Sequence, residues 1–159
     1  MTENENPTYS EVQSFSPRIQ AFILASTGLA GLGGYLATRE APGAEFGIYA
    51  MLAALSLVVI LFNTMRLSTT VIGDGIRIKG LWFINRMIRF DEIETAEMRE
   101  CKPLVEYGGW GYRIGPAGKA YNAQGNEGVQ LTLKDGKRVL IGSQRATELA
   151  HVISSRLGK

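Results

Sequence analysis

Two apolar stretches dominate the pattern of hydrophobic and polar positions, at residues 19–37 and 46–65. Neither contains a charged residue or a polar stripe. Because a helix rises about 1.5 Å per residue, each stretch is long enough to cross the hydrocarbon layer of a bilayer, which is about 30 Å thick. The eight residues between them include Pro42-Gly43 and suffice for a tight turn. The pattern therefore predicts a transmembrane helical hairpin over residues 18–66.

Two other structures would also contain apolar stretches of this length, but the rest of the chain disfavours both. A buried hairpin in a soluble protein would need the remaining residues to wrap both helices, and they are too few. A cleaved signal peptide would need a basic leader, whereas Glu3, Glu5 and Glu11 precede the first stretch against a single Arg18. The polar residues 1–17, with two prolines, are predicted to form a disordered tail.

Charge predicts the direction of the hairpin, because Lys and Arg near span ends stay on the cytoplasmic side. Arg18 and Arg66 flank its open end, and Arg77 and Lys79 follow closely. The connecting loop has only Arg39, which two glutamates offset. We therefore predict a two-span protein of the inner (plasma) membrane with both termini in the cytoplasm. A single cysteine agrees with a reducing compartment.

The composition changes at Arg66, and this divides the chain into two halves. Residues 1–65 carry a net charge of −3 and residues 66–159 a net charge of +5. The second half is long enough for one small domain with its own core. We assign residues 67–159 to this cytoplasmic domain.

Short alternating runs in this second half predict strands followed by one helix. Residues 67–72 and 76–80 flank the turn signal Gly73-Asp74-Gly75. Further runs lie at 85–90 and 93–98, and a second hairpin joins 128–133 to 138–141 through Asp135-Gly136. Ser143 is placed to cap a last helix over residues 144–157, whose apolar residues line one face.

This order of elements resembles the bacterial pleckstrin-homology-like membrane proteins. Residues 88–93 resemble a strand-turn-strand corner of that family, residues 108–113 its Gly-rich segment, and residues 129–142 its final hairpin. The resemblance covers most of residues 67–157. It implies an α+β chain with a partly open barrel of seven or eight strands and a C-terminal capping helix. It also implies a role in binding, assembly or anchoring.

The Gly-rich segment fails the spacing tests for nucleotide sites. A P-loop ending at Gly118-Lys119 would need a hydroxyl where Ala120 stands, and a dinucleotide fingerprint would need glycine at Ile114. Two interpretations stay open: the glycines permit bends between short strands, or they shape a binding patch. The candidate ligand or partner patch consists of Trp110, Tyr112, Arg113, Lys119 and Tyr121.

No set of residues predicts catalysis. The only histidine, His151, is predicted to lie on the solvated face of the last helix, so no metal cluster or triad order is recognisable. The acidic run that begins at Asp91 is typical of a solvated surface, and Cys101 of an inert thiol. The dispersed charge does not form the basic stripe of a DNA-binding protein. We predict no enzymatic activity, no cofactor, no metal site and no nucleic-acid partner.

The sequence favours a membrane-anchored binding or scaffold protein, an accessory or assembly subunit of a membrane protein complex. The alternative is a protein that binds anionic lipid headgroups. The predicted partners are membrane lipids and another membrane protein, and a homo-oligomer is also compatible with the sequence. Candidate membrane-surface residues are Arg66, Arg77, Lys79 and Arg86. Candidate helix-packing residues are Thr27, Gly31 and Gly34, which occur at the small-xxx-small spacing.

Overall fold

The computed structural model describes residues 7–40, 44–80, 83–115 and 117–158. The chain divides into two compact units. The helical unit is Phe15–Met65, and the β-rich unit contains the described residues before and after it.

The helical unit contains two long helices, α1 (Pro17–Thr38) and α2 (Ala44–Thr64). Ser16 caps α1 through its side chain, which accepts a hydrogen bond from the Ile19 amide, and Pro17 occupies the first turn, where no donor is needed. With 22 and 21 residues, the helices are about 33 and 32 Å long. Both are long and apolar enough to cross a membrane, as predicted. The predicted turn at Pro42-Gly43 lies outside the described residues.

The β-rich unit contains nine strands among its described residues, arranged in two sheets. Sheet A has the order β1-β2-β3-β4 and is antiparallel throughout. Sheet B has the order β5-β8-β9-β7-β6, in which β7 and β9 run parallel. The strands are β1 (Tyr9–Ser14), β2 (Arg66–Ile72), β3 (Gly75–Gly80), β4 (Ile84–Arg89), β5 (Ile93–Glu100), β6 (Gly111–Gly115), β7 (Gly118–Asn122), β8 (Glu127–Leu133) and β9 (Arg138–Gly142).

Both predicted hairpins are confirmed. β2 pairs with β3 around the Gly73-Asp74 turn, and β8 pairs with β9 around Asp135-Gly136. Gly136 has a φ of +79°, the left-handed conformation that glycine adopts without steric cost. Alternation along each strand sends one set of side chains into the core, such as Ile76 and Ile78 on β3, which are fully buried.

The α+β class, with two apolar helices before a β-rich region and a C-terminal helix, is confirmed. The described strands form two sheets and no closed barrel. Eight of these strands lie between residues 66 and 142, and β1 is the ninth. The pleckstrin-homology-like arrangement stays a prediction.

The prediction of a disordered N-terminal tail is wrong for residues 9–14, which form β1 at the edge of sheet A. Its side chains are mostly polar, which is why the composition indicated disorder. Tyr9, Glu11 and Gln13 nevertheless alternate into the interior and are buried there, with hydrogen-bond partners. The strand pairs with β2 along its whole length, from Tyr9 opposite Val71 to Ser14 opposite Arg66.

Two helices complete the β-rich unit. The short α3 (Pro103–Tyr107) ends at Gly108, whose φ is +71°. The last helix, α4 (Ala146–Leu157), packs on β5 and β8 and buries Leu149 and Ile153. The expected cap is wrong: Ser143 lies before the helix and Arg145 is the N-cap residue, with no side-chain capping bond. Ser143 instead accepts a hydrogen bond from the Arg145 amide and donates one to Glu11.

Candidate functional site

A cavity of about 370 Å³ opens in the β-rich unit between β4, the β6–β7 hairpin and the β8–β9 hairpin. Its apolar lining comes from side chains such as Ile88, Leu133 and Val139. Its rim is basic, with Arg86, Lys119, Lys137 and Arg138 among the lining residues. We call this space the cationic cavity; its described lining is Arg86, Ile88, Ile114, Gly115, Ala117, Gly118, Lys119, Tyr121, Leu133, Gly136, Lys137, Arg138 and Val139.

Side chains alternate between the two faces of the β6–β7 hairpin, and one of these faces lines the cavity. Tyr112 pairs with Tyr121 and Ile114 with Lys119, so these four residues share one face of the hairpin. Ile114, Lys119 and Tyr121 line the cavity. Tyr112 packs beside Tyr121, with ring centroids 5.0 Å apart and planes tilted by 31°.

Gly118 lets β7 approach β9 closely enough to bring the two hairpins together. A Cβ atom on Gly118 would lie 2.3 Å from the main-chain oxygen of Arg138, and the φ of +109° is itself disfavoured for other residues. Lys119 and Val139 are therefore register partners in the parallel pair. A glycine in this position therefore lets β7, which carries Lys119, pair closely with β9.

The charge of the cationic cavity is largely uncompensated. Lys137 forms an ion pair with Asp135, with 2.7 Å between Nζ and Oδ2. Within the described parts of the chain, Arg86 and Lys119 have no ion pair or side-chain hydrogen bond. Arg138 alternates with Val139 along β9, so its side chain projects from the other face of sheet B. No carboxylate occurs among the described lining residues. Two positive charges beside an apolar wall favour an anionic ligand that also has apolar parts.

Tyr121 provides a neutral polar group at this wall. Burial raises the pKa of the Tyr121 phenol, and the nearby Tyr112 raises it further, whereas the positive charge of Arg86 opposes this. The phenol is therefore protonated at neutral pH and is able to donate a hydrogen bond to an anion.

The predicted aromatic and basic patch is divided by the hairpin. Lys119 and Tyr121 lie in the cationic cavity, and Tyr112 packs against Tyr121. Arg113 projects from the opposite face, because it alternates with Tyr112 along β6, and its Nε donates to the main-chain oxygen of Trp110 at 3.1 Å. Trp110 in turn donates from Nε1 to the oxygen of Gly125 at 2.9 Å. The five residues do not form one surface.

The predicted membrane-surface residues are also divided, by the two faces of sheet A. Arg66, Arg77 and Lys79 project from the outer face, whereas Arg86 lies on the inner side and lines the cationic cavity. No acidic side chain stands on this outer face, which comprises Ser10, Val12, Ser14, Arg66, Ser68, Thr70, Ile72, Gly75, Arg77, Lys79, Asn85, Met87 and Arg89. Arg89, on the same face, forms an ion pair with Asp91.

The candidate helix-packing residues lie against the chain's own second helix. A Cβ on Gly31 would lie 3.3 Å from a methyl group of Leu55, and one on Gly34 would lie 2.6 Å from the sulfur of Met51. Thr27 and Gly31 line a shallow apolar cavity of about 430 Å³ between α1 and α2. Gly28 and Gly33 have open space beside them.

Sequence reasoning missed a buried polar cluster that holds β1 in place. Glu11, which is only 9% exposed, accepts hydrogen bonds from the hydroxyls of Tyr9 and Ser143, the Gln144 amide and the Gln13 side chain. Burial and the neighbouring carboxylate raise the pKa of Tyr9 to about 12. The alternation of Tyr9, Glu11 and Gln13 was the available signal, but their polarity suggested solvent exposure.

Other candidate chemistry is sparse in the described residues. Cys101 is buried, and burial raises the pKa of its thiol, which agrees with an inert side chain. Within residues 7–40, 44–80, 83–115 and 117–158, no cluster of His, Cys, Asp and Glu is arranged to hold a metal ion. His151 is exposed on α4.

In comparisons with known proteins, no family model matches this chain, and no curated protein matches it.

Proposed function

We propose that this chain is a membrane-anchored, non-enzymatic binding protein, an accessory or assembly component whose β-rich unit receives an acidic segment of another membrane protein. The cationic cavity is the observation that carries this proposal. It offers two basic side chains with no ion-pair partner among the described residues, Arg86 and Lys119, next to an apolar wall. An acidic peptide with interspersed apolar residues has the complementary chemistry.

Binding fits the cationic cavity better than catalysis does. Its described lining contains no carboxylate, imidazole or thiol that would act as a general base or nucleophile near neutral pH. The Tyr121 phenol has a pKa above its ordinary value, so it is suited to donating a hydrogen bond rather than to accepting a proton.

The proposed location is the inner membrane, with both termini in the cytoplasm and α1 and α2 as the two spans. The distribution of Arg and Lys around the helices supports this direction. A cysteine introduced at Ala44 is expected to react with an impermeant thiol reagent in intact cells, and a cysteine at the C-terminus is not. The opposite labelling pattern would place the β-rich unit outside the cytoplasm and end the proposal.

The test of the cationic cavity compares charge reversal inside it with charge reversal beside it. Arg86→Glu combined with Lys119→Glu removes the attraction and adds repulsion, whereas Lys134→Glu changes an exposed lysine outside the lining. Tagged full-length chains are purified from native membranes in mild detergent, and the co-purifying proteins are quantified. We expect the double variant to lose a partner that the Lys134 variant retains, by about tenfold or more. Equal recovery from both variants refutes the cavity as the binding surface.

A second candidate function, recognition of anionic lipid headgroups, is favoured by the outer face of sheet A. Arg66, Arg77 and Lys79 project there without acidic neighbours on the same face. Each Lys or Arg near an anionic leaflet contributes about 1 kcal/mol. Arg77→Glu with Lys79→Glu is then expected to lower the amount of phosphatidylglycerol that stays with the purified chain, while the cavity variant retains it. Equal lipid retention by both variants removes this candidate.

A further inference from the structure

Phe83 is an exposed aromatic side chain in the short connection between β3 and β4. Its side chain is 71% exposed, whereas the next residue, Ile84, is buried. Leu81 and Trp82, which lie outside the described residues, precede it in the sequence. An apolar ring is therefore exposed immediately before the first residue of β4.

The strand register places this connection at a particular end of sheet A. Gly80 pairs with Leu67, and Ser14 pairs with Arg66. Gly80 also pairs with Ile84, so Phe83, which directly precedes Ile84, lies at the same end of the sheet where β1 finishes and β2 begins. The Gly73-Asp74 turn lies at the opposite end.

Short connecting segments join this end of sheet A to both apolar helices. Only Phe15 and Ser16 separate β1 from α1, and only Met65 separates α2 from β2. A residue of chain spans at most about 3.6 Å, so links of this length reach roughly 10 Å or less. If α1 and α2 span a membrane, this end of sheet A stays within the headgroup region.

The residues at this end have the chemistry of an interfacial contact. Arg66 and Lys79 are exposed there and have no ion-pair partner within the described ranges. Apolar side chains of interfacial segments, Phe among them, are buried at the boundary between the headgroups and the acyl chains. We propose that this end of sheet A docks on an anionic bilayer, with the Phe83 ring inserted below the headgroups and with Arg66 and Lys79 paired to lipid phosphates. This proposal depends on the membrane-spanning role of α1 and α2 and not on the cationic cavity.

The position of Phe83 is tested first, with the full-length chain in nanodiscs of equal parts phosphatidylcholine and phosphatidylglycerol. Phe83→Cys carries an environment-sensitive fluorophore, and Asp74→Cys is the matched control at the opposite end of the same sheet. Cys101 is buried and stays unlabelled in the folded chain. We expect spin-labelled lipids to quench the label at residue 83 and dissolved iodide to quench the label at residue 74. Equal lipid quenching at the two positions overturns the proposal.

The anchoring role of the ring is tested separately, with the fluorophore at Asn85, an exposed residue on the outer face. Phe83→Asp replaces the ring with a charge, and Val105→Asp makes the same change at a side chain that is 82% exposed on α3. Insertion of a mostly exposed Phe ring favours the docked state by about tenfold. We therefore expect Phe83→Asp, and not Val105→Asp, to reduce lipid quenching at residue 85.

Two results separate this proposal from the one on which it rests. Unchanged quenching at residue 85 in Phe83→Asp shows that the short links alone hold the sheet near the lipid, and it overturns the role of the ring. A chain that does not insert into nanodiscs overturns the membrane-spanning proposal itself.

Discussion

Replacement of Glu11 by alanine is the perturbation that tests most directly how β1 is held. The carboxylate accepts from the Tyr9 hydroxyl and from Ser143 Oγ at 2.6 Å through one oxygen, and from the Gln144 amide at 2.8 Å through the other. β1 has only one neighbouring strand, β2, in sheet A. The Glu11 contacts therefore link the N-terminal strand to the segment that precedes α4.

The expected cost follows from what each donor retains after the substitution. Tyr9 and Ser143 still bond to each other at 2.9 Å, and Gln13 still donates to the oxygen of Gly142. The Gln144 amide loses its partner. A hydrogen bond to a charged group contributes about 1.5–3 kcal/mol, and water reaches the Gln144 amide because residue 144 is exposed. Glu11→Ala is therefore expected to lower the free energy of unfolding by about 2–3 kcal/mol. Glu11→Gln, which keeps an acceptor oxygen, is expected to cost about 1–2 kcal/mol.

Urea unfolding of the full-length chain in detergent measures this cost. Both tryptophans of the sequence, residues 82 and 110, precede α4 in the second half of the chain, so intrinsic fluorescence follows that half. Val12→Ala is the matched control, because Val12 is 58% exposed on the outward side of the same strand, and such changes stay within about 0.5 kcal/mol. A loss for Glu11→Ala as small as that of the Val12 control would refute the proposed role of the cluster.

Three further predictions concern other parts of the chain. Gly118→Ala is expected to destabilise the β-rich unit by about 2–4 kcal/mol, because the new methyl group clashes with the main-chain oxygen of Arg138 on β9. Gly136→Ala, which has open space beside it, is expected to cost about 1–2 kcal/mol. Equal losses of unfolding free energy in urea would contradict this difference. The Tyr9 pKa rises from 10.0 to about 12, so its stabilising effect is complete below pH 10 and is lost as the pH rises through 12. The loss amounts to up to about 3 kcal/mol, and Tyr9→Phe is expected to remove this dependence from alkaline unfolding curves. Gly34→Leu is expected to separate α1 from α2, because the new side chain clashes with Met51. Gly33→Leu is expected to leave the hairpin intact, because Gly33 has open space beside it. Crosslinking between the two helices distinguishes these outcomes.

The elements that the sequence determined by itself are those whose signal is local. A helix long enough for a bilayer needs only an uninterrupted apolar run, and residues 19–37 and 46–65 provide one each. The β2–β3 and β8–β9 hairpins need only alternation around a glycine turn. The apolar face of α4 follows from its spacing, and Leu149 and Ile153 are buried as this spacing requires. Each of these features depends on residues close together in the chain.

Only the tertiary structure determined which of these elements contact one another. Polar β1 forms a strand because it pairs with β2 and because its buried side chains bond to Ser143 and Gln144, more than a hundred residues away. Arg86 reaches the cationic cavity, and Arg77 does not, because strand parity places them on opposite faces of sheet A. The same parity separates Arg113 from Lys119. A sequence pattern specifies the two faces of a strand, but the packing of distant strands determines which face lines a site, because burial free energy depends on contacts between segments far apart in the chain.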